Sequence, residues 1–290
     1  MSLPGSLVEL PTGNVYVHRS GEGPPLVLIH GYLISHWAFK PVIPLLAKHF
    51  EVIAIDTPGH GDSDRPAPAA FRYDVASIAD AVDACLGKLG VHKTRVLGHS
   101  IGGAIAMTVA ARHPERVERL VIADAVVDKM PLPLTGKIAM LPGIGKLIFK
   151  HAQSRRDMRS LFRNAHKDPD VCTEDFVDYF WEKFNRPGTR DAAYAWLETI
   201  VHIDRQNLEP EKVKCPTLLL WGAEDHQTPV AFAHGLQKRL PGTPELRLID
   251  AAGHNPYEER PEAFVEAVLP FLLAQETSSA KAPARDAIAV

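Results

Sequence analysis

The chain has 290 residues, 46% hydrophobic and 23% charged, a balance that allows a sizeable core and argues against a disordered or fibrous protein. Its net charge of −3 supplies no field to draw in nucleic acid, and its three cysteines, Cys85, Cys172 and Cys215, are too widely spaced for a disulfide framework or a metal site. Residues 1–10 lack the basic flank and apolar stretch of a signal peptide, and no apolar run reaches membrane-spanning length, so the expected location is the cytoplasm.

The chain reads as alternating strands and helices. Residues 14–19 alternate after the turn at Thr12-Gly13 and predict a strand. Leu26-Val27-Leu28-Ile29 is a continuous apolar run, as in a strand buried on both faces, and ends in His30-Gly31-Tyr32. Residues 37–49 have helical spacing, and residues 51–56 form the next strand. A turn-rich loop, Thr57 to Pro66, precedes an amphipathic helix over 73–89. A short strand over 94–97 leads into Gly98-His99-Ser100-Ile101-Gly102-Gly103 and a helix to residue 113. Residues 117–123 are another buried strand.

From 127 to 212 the strand rhythm stops and the pattern turns helical, interrupted at Pro131, Pro133, Pro142 and Pro187-Gly188. Strands return at 216–222 and 245–249, around a helix over 230–240, and a closing helix covers 262–273. These elements predict a mostly parallel sheet flanked by helices, with a core from 1–126 and 213–275, a helical cap inserted at 127–212 and a disordered tail at 276–290.

Ligands in such sheets bind at the carboxyl ends of the strands. His30-Gly31, Asp56, Ser100 and Asp124 all fall at those ends. Gly98-His99-Ser100-Ile101-Gly102 at a strand-to-helix junction has the form of a nucleophile elbow, in which a strained turn lifts the serine hydroxyl clear of the sheet. A serine needs a base, and His254, just past the last strand, reaches the same edge. Asp225, after the preceding strand, is a candidate to orient it, and Asp124 remains open as an alternative acid.

Four segments carry a family resemblance: His30-Gly31-Tyr32; Asp56-Thr57-Pro58-Gly59-His60-Gly61-Asp62-Ser63; Gly98 to Gly103; and Gly253-His254 followed by Glu259-Arg260-Pro261. Together the chain resembles the α/β-hydrolase-fold serine hydrolases that carry a helical cap. The resemblance implies Ser100 as nucleophile, His254 as base and then acid, and Asp225 as the orienting acid. It implies an oxyanion hole from the N–H groups of Tyr32 and Ile101, and neither cofactor nor metal. His30 and His60 are expected to serve loop hydrogen bonds, and His99 to point away from the nucleophile by strand alternation. His226 is left between pocket and solvent, and Trp181, Tyr194 and Trp196 are expected in the core.

Ser100 at the nucleophile position argues against the aspartate-dependent dehalogenases and epoxide hydrolases of the family. Asn255 after the base departs from the tryptophan usual in its carbon–carbon bond hydrolases. The expected activity is hydrolysis of a largely apolar carboxylic ester, thioester or lactone through an acyl-enzyme. A small-molecule sensor or accessory protein with little turnover is the alternative from another class; a cofactor-free haloperoxidase is a further one. Nine Lys or Arg fall between 129 and 167, opposed only by Asp157, among apolar residues that include Leu161 and Phe162. That mixture predicts either a solvated cap whose basic half pairs with the acidic run that follows, or a lid whose apolar face roofs a pocket for a medium-length acyl chain and whose basic face makes weak peripheral contact with an anionic membrane.

Overall fold

The computed structural model describes residues 3–130, 134–141 and 143–274. The tail at 276–290 and the interruptions at Pro131, Pro133 and Pro142 lie outside the described residues.

The strands, in chain order, are β1 (Ser6–Val8), β2 (Val15–Ser20), β3 (Pro25–Ile29), β4 (Glu51–Ile55), β5 (Thr94–His99), β6 (Val117–Ala123), β7 (Thr217–Gly222) and β8 (Glu245–Ile249). They form one sheet in the order β1-β2-β4-β3-β5-β6-β7-β8. β1 and β2 pair antiparallel at one edge, and the strands from β4 to β8 are parallel. The sequence expectation of a mostly parallel sheet holds; the short, exposed β1 is an addition that its three residues could not announce. The order of connections reverses between β3 and β5, and clefts at strand ends open at such a reversal.

The outer helices are α1 (Ile43–Leu46), α2 (Val75–Lys88), α3 (Ile101–Arg112), α9 (Val230–Arg239), α10 (Pro256–Glu259) and α11 (Pro261–Leu273), and α4 (Leu134–Ala139), α5 (Gly145–Ala152), α6 (Arg155–Arg163), α7 (Glu174–Phe184) and α8 (Thr189–Val201) lie between β6 and β7. The helix expected over 37–49 is instead a single 3₁₀ turn, His36–Phe39, followed by α1. Pro41 and Pro44 remove two backbone donors there, so one continuous helix cannot form. α2 starts at Asp74, whose carboxylate accepts the Ser77 N–H at 2.8 Å.

Burial explains the runs read from sequence. Leu26, Val27, Leu28 and Ile29 are fully buried in β3, and every residue of α3 from Ile101 to Ala110 is buried. α3 tolerates Gly102 because β3 passes so close: a Cβ there would sit 2.3 Å from the Ile29 carbonyl oxygen. A Cβ on Gly98 would meet the Gly102 carbonyl at 2.2 Å. Close approach of strand and helix, rather than helix propensity, decides both residues.

Most of the inserted helices share the core of one sheet face, while α8 contributes to both. Phe149, Phe162, Phe176, Phe180 and Phe184 belong to the same buried cluster as Phe39, Tyr257 and Leu28. Trp196 is fully buried on the other face, its indole N–H donating to the Pro58 carbonyl at 3.1 Å, and Tyr194 is buried too. The basic run largely pairs with its acidic neighbours: Arg155 with Glu174 and Asp178, Arg159 with Glu174, Arg163 with Asp170, and Lys150 with Asp191. Such surface pairs contribute at most about 1 kcal/mol each, yet they neutralise most of the excess charge. What they leave uncovered is apolar: Ile138, Leu141, Ile144, Leu147 and Ile148 are all exposed.

Candidate active site

Ser100 terminates β5 with φ 57° and ψ −124°, a left-handed conformation that a non-glycine residue adopts only under constraint. The constraint is visible on both sides. The Ser100 N–H donates to the Ala123 carbonyl at 2.9 Å, and its own carbonyl accepts the N–H groups of Gly103 and Val126 at 2.9 and 3.2 Å. Gly98 and Gly102 let strand and helix close around that turn. The hydroxyl is thereby presented at the carboxyl edge of the sheet.

The β8–α10 turn brings His254 to it. His254 Nε2 lies 3.0 Å from Ser100 Oγ, in position to accept its proton. On the other side of the ring, Nδ1–H donates to Asp225 Oδ2 at 2.8 Å. Asp225 stands after β7, where its Oδ1 accepts the backbone N–H of Gln227 at 2.7 Å and of Thr228 at 3.0 Å. The Thr228 hydroxyl donates to Oδ2 at 2.5 Å. Burial alone would raise this carboxyl, but the adjacent His254 and the hydrogen bonds from His254 and Thr228 outweigh it and hold the pKa well below the usual carboxylate range. Asp225 is therefore ionised.

Asp124 takes a different part. It also ends a strand, with φ 45°, but its Oδ1 accepts the Gly222 N–H at 2.8 Å, and His254 is bonded to Asp225 instead. Its Oδ2 is buried with no hydrogen-bond partner among the described residues. Burial, reinforced by the negative charge of Asp225, pushes its pKa well above the ordinary value. The two carboxyls lie side by side and are shifted in opposite directions, the one facing the imidazole down and Asp124 up. Ligand atoms of Asp124, Asp225 and His254 lie within 4.8 Å of one another.

Tyr32 follows β3 across the reversal, and Ile101 opens α3, where helix N–H groups lack intrahelical acceptors. Both flank Ser100. Tyr32 lines the same cavity, and its phenol donates to the Ala193 carbonyl of α8 at 2.9 Å. The cavity over Ser100 measures about 70 Å³ and is walled by Tyr32, Ile34, His99, Gln227, His254 and Asn255, with Leu161, Phe162 and Ala165 of the inserted segment as its roof. Leu161 is 45% exposed, so it marks the mouth.

The chain matches the alpha/beta hydrolase fold family over residues 24–261, which takes in every element just described around Ser100. It belongs to the alpha/beta hydrolase fold family. Among its relatives is an uncharacterised hydrolase, YugF of Bacillus subtilis, 29% identical over 264 residues, covering 89% of this chain and 93% of the relative. Another is a pimeloyl-[acyl-carrier protein] methyl ester esterase of Neisseria meningitidis, 29% identical over 239 residues, covering 82% and 89%. Among solved structures, the meta-cleavage product hydrolase CumD of Pseudomonas fluorescens has a TM-score of 0.78 at 25% identity, covering 92% of this chain and 97% of that one.

The remaining expectations divide. His30 and His60 do serve the loops: His30 Nε2 accepts the Thr57 N–H at 3.1 Å, and the Thr57 hydroxyl lies 3.1 Å from His60 Nδ1. His226 faces solvent. His99 follows the alternation: it lies on the Leu97 side of the sheet, its ring 4.8 Å from that of Tyr257. From there its ring also reaches within 4.8 Å of that of His254, and Nε2–H donates to the His254 carbonyl at 2.7 Å, so it supports the turn that carries the base. The sequence reading missed Gln227 and Thr228, whose only signal was their place right after Asp225, and Ala165; Leu161 and Phe162 belong to the apolar set expected to roof the pocket, and both line the cavity.

Proposed function

We propose that this protein is a serine hydrolase that cleaves a carboxylic ester, with thioesters and lactones as chemical variants, through an acyl-enzyme on Ser100. The observation that carries the reading is the linked pair of contacts, Ser100 Oγ to His254 Nε2 at 3.0 Å and His254 Nδ1 to Asp225 Oδ2 at 2.8 Å. Ser100 Oγ attacks the ester carbonyl carbon while its proton passes to His254 Nε2. The carbonyl oxygen becomes an oxyanion, met by the N–H groups of Ile101 and Tyr32. His254 then gives the proton to the leaving alcohol, the C–O bond breaks, and Ser100 holds the acyl group. Water repeats the sequence and releases the acid. Asp225 keeps the imidazole in the right tautomer and stabilises its charged form. The cycle calls on no cofactor.

The named esterase among the relatives supports the ester class. A cavity of about 70 Å³ falls far below the 300–1,000 Å³ usual for small-molecule pockets, so it takes the reacting end of a substrate and little more. The rest of the molecule leaves past Leu161 toward solvent, or the roof must lift for a longer acyl chain. The resemblance to CumD keeps hydrolysis of a meta-cleavage product as a second reading, against which stands Asn255 beside the base.

The exposed face of Ile144, the residue that caps α5, and of Leu147 and Ile148 within it, three and four residues on, supports weak peripheral contact of the roof with a lipid surface. Its charge contribution rests on the few cations of the run that remain outside ion pairs among the described residues, such as Lys137 and Arg156.

A chain-length series of aryl esters tests the function, with Ser100→Ala as control. Steady turnover that Ser100→Ala abolishes is expected, highest for short acyl groups. A single burst followed by near-silence would instead make the protein a sensor.

A further inference from the structure

The segment that roofs the cavity and the turn that carries His254 are tied together by a set of buried polar contacts that the chemistry above does not use. The His254 N–H donates to the Ala165 carbonyl at 2.8 Å. Glu259 accepts the Gly253 N–H at 2.7 Å on one oxygen, and the N–H groups of Lys167 and Asp168 at 2.7 and 3.0 Å on the other. At the centre lies His166. Its Nδ1–H donates to the Phe162 carbonyl at 2.8 Å, and its Nε2 is 2.8 Å from Glu258 Oε2. The two side chains are 0% and 4% exposed. The backbones are packed as tightly: a Cβ on Gly253 would sit 2.7 Å from the Lys167 nitrogen.

The pair is a buried, hydrogen-bonded clamp that shares a proton. His166 Nδ1 faces the Phe162 carbonyl, and Nε2 faces Glu258 Oε2, with the Asn255 amide nitrogen 3.3 Å from that same Nε2. The Phe162 carbonyl is among the last of α6, where a helix end attracts positive charge. Burial disfavours the cation, but Glu258 and the Phe162 carbonyl outweigh that cost, so the His166 pKa is raised. Burial likewise raises the Glu258 carboxyl, with Glu259 adding to it, so the pair binds its proton tightly.

We propose that His166 is a positioning residue for the catalytic base: paired with Glu258, it clamps residues 165–168 to the 253–259 turn and so fixes the His254 imidazole against Ser100 as one unit with the cavity roof. The inference rests on the serine-hydrolase reading. It gives the inserted segment a part in the chemistry besides covering the site. Leu161, Phe162 and Ala165 wall the cavity from the same short stretch that holds the His254 backbone, so a shift of the roof displaces the base as well.

The test uses the full chain carrying His166→Gln, Glu258→Gln, or both. kcat and KM are measured on an aryl acetate, the low-field proton shared by His254 and Asp225 is followed by NMR, and thermal unfolding is recorded alongside. Each single variant should lose kcat by about tenfold, inside the ~10²-fold that a misplacement of about 1 Å can cost, while KM stays nearly unchanged. The double variant should lose no more than either single one, because both remove the same clamp. The low-field proton should broaden or shift. A lowered Tm with kcat and the low-field proton as in the wild type would overturn the proposal and leave the pair a purely structural one. Should His166→Gln fail to fold, Glu258→Gln, nearly isosteric, decides alone. A wild type without ester turnover, whose low-field proton is nonetheless lost in the variants, would sink the esterase reading and still support the positioning.

Discussion

Asp225→Asn isolates what the carboxylate does, because the structure dictates how the amide must sit. Asp225 Oδ1 accepts two backbone N–H groups, from Gln227 and Thr228, at 2.7 and 3.0 Å. Only the amide oxygen can occupy that place. The amide NH₂ then replaces Oδ2, 2.8 Å from His254 Nδ1, and donates to it. The ring proton is forced onto Nε2, which points at Ser100 Oγ from 3.0 Å and can no longer accept from it. Wrong-tautomer substitutions of this kind lower kcat by ~10⁴, or about 5.4 kcal/mol of transition-state stabilisation. The fold should survive, since Asn keeps the backbone contacts and the volume. The assay is kcat on an aryl acetate with circular dichroism as the control for folding. A loss smaller than about tenfold, or a greater loss in Asp124→Asn, would refute the assignment of the acid.

Two other outcomes follow from the same geometry. Asp124 holds its proton in the folded state at pH values where the unfolded chain has released it. Stability is thus lost as pH rises through the ordinary carboxylate pKa of about 3.9 toward the raised native one, by up to about 1.4 kcal/mol per pH unit. Asp124→Asn cannot titrate, so urea midpoints measured from about pH 4.5 to 7.5 should fall less steeply than in the wild type; parallel curves would mean that Asp124 is ionised in the fold. Replacing Ile144, Leu147 and Ile148 by Ser should abolish co-sedimentation with vesicles containing anionic lipid while leaving turnover of a soluble aryl acetate intact; wild-type protein that stays in the supernatant at low salt would remove the membrane contact.

The sheet was legible because buried parallel strands are nearly continuous apolar runs. Residues 117–123 can be read to the residue because the run is bounded by turns or charge; 245–249, a mostly unburied edge strand, is read instead from its alternation and the turns around it. The elbow was legible for another reason: Gly98 and Gly102 are required by a close approach that few other structures need. Asp225 and His254 could be placed at the same edge because both follow strands directly. Side-chain neighbours set by tertiary packing were not legible. The apolar pattern of the inserted segment suggested a roof, but nothing in the stretch around 161–168 announces that His166 would meet Glu258 across 92 residues of chain. His99 shows both sides of this: alternation correctly puts it on the Leu97 face of β5, against Tyr257, but could not say that its Nε2–H would donate to the His254 carbonyl across 155 residues of chain.

The central claim is that Ser100 is the nucleophile, and covalent trapping tests it most directly. The wild-type protein is treated with a fluorophosphonate, digested, and the adduct located by mass spectrometry, with Ser100→Ala and His254→Ala run in parallel. The account predicts one modified peptide, carrying the label on Ser100, with no labelling in Ser100→Ala and greatly slowed labelling in His254→Ala. Undiminished labelling of Ser100→Ala, or an adduct at any other residue in the wild type, would contradict it.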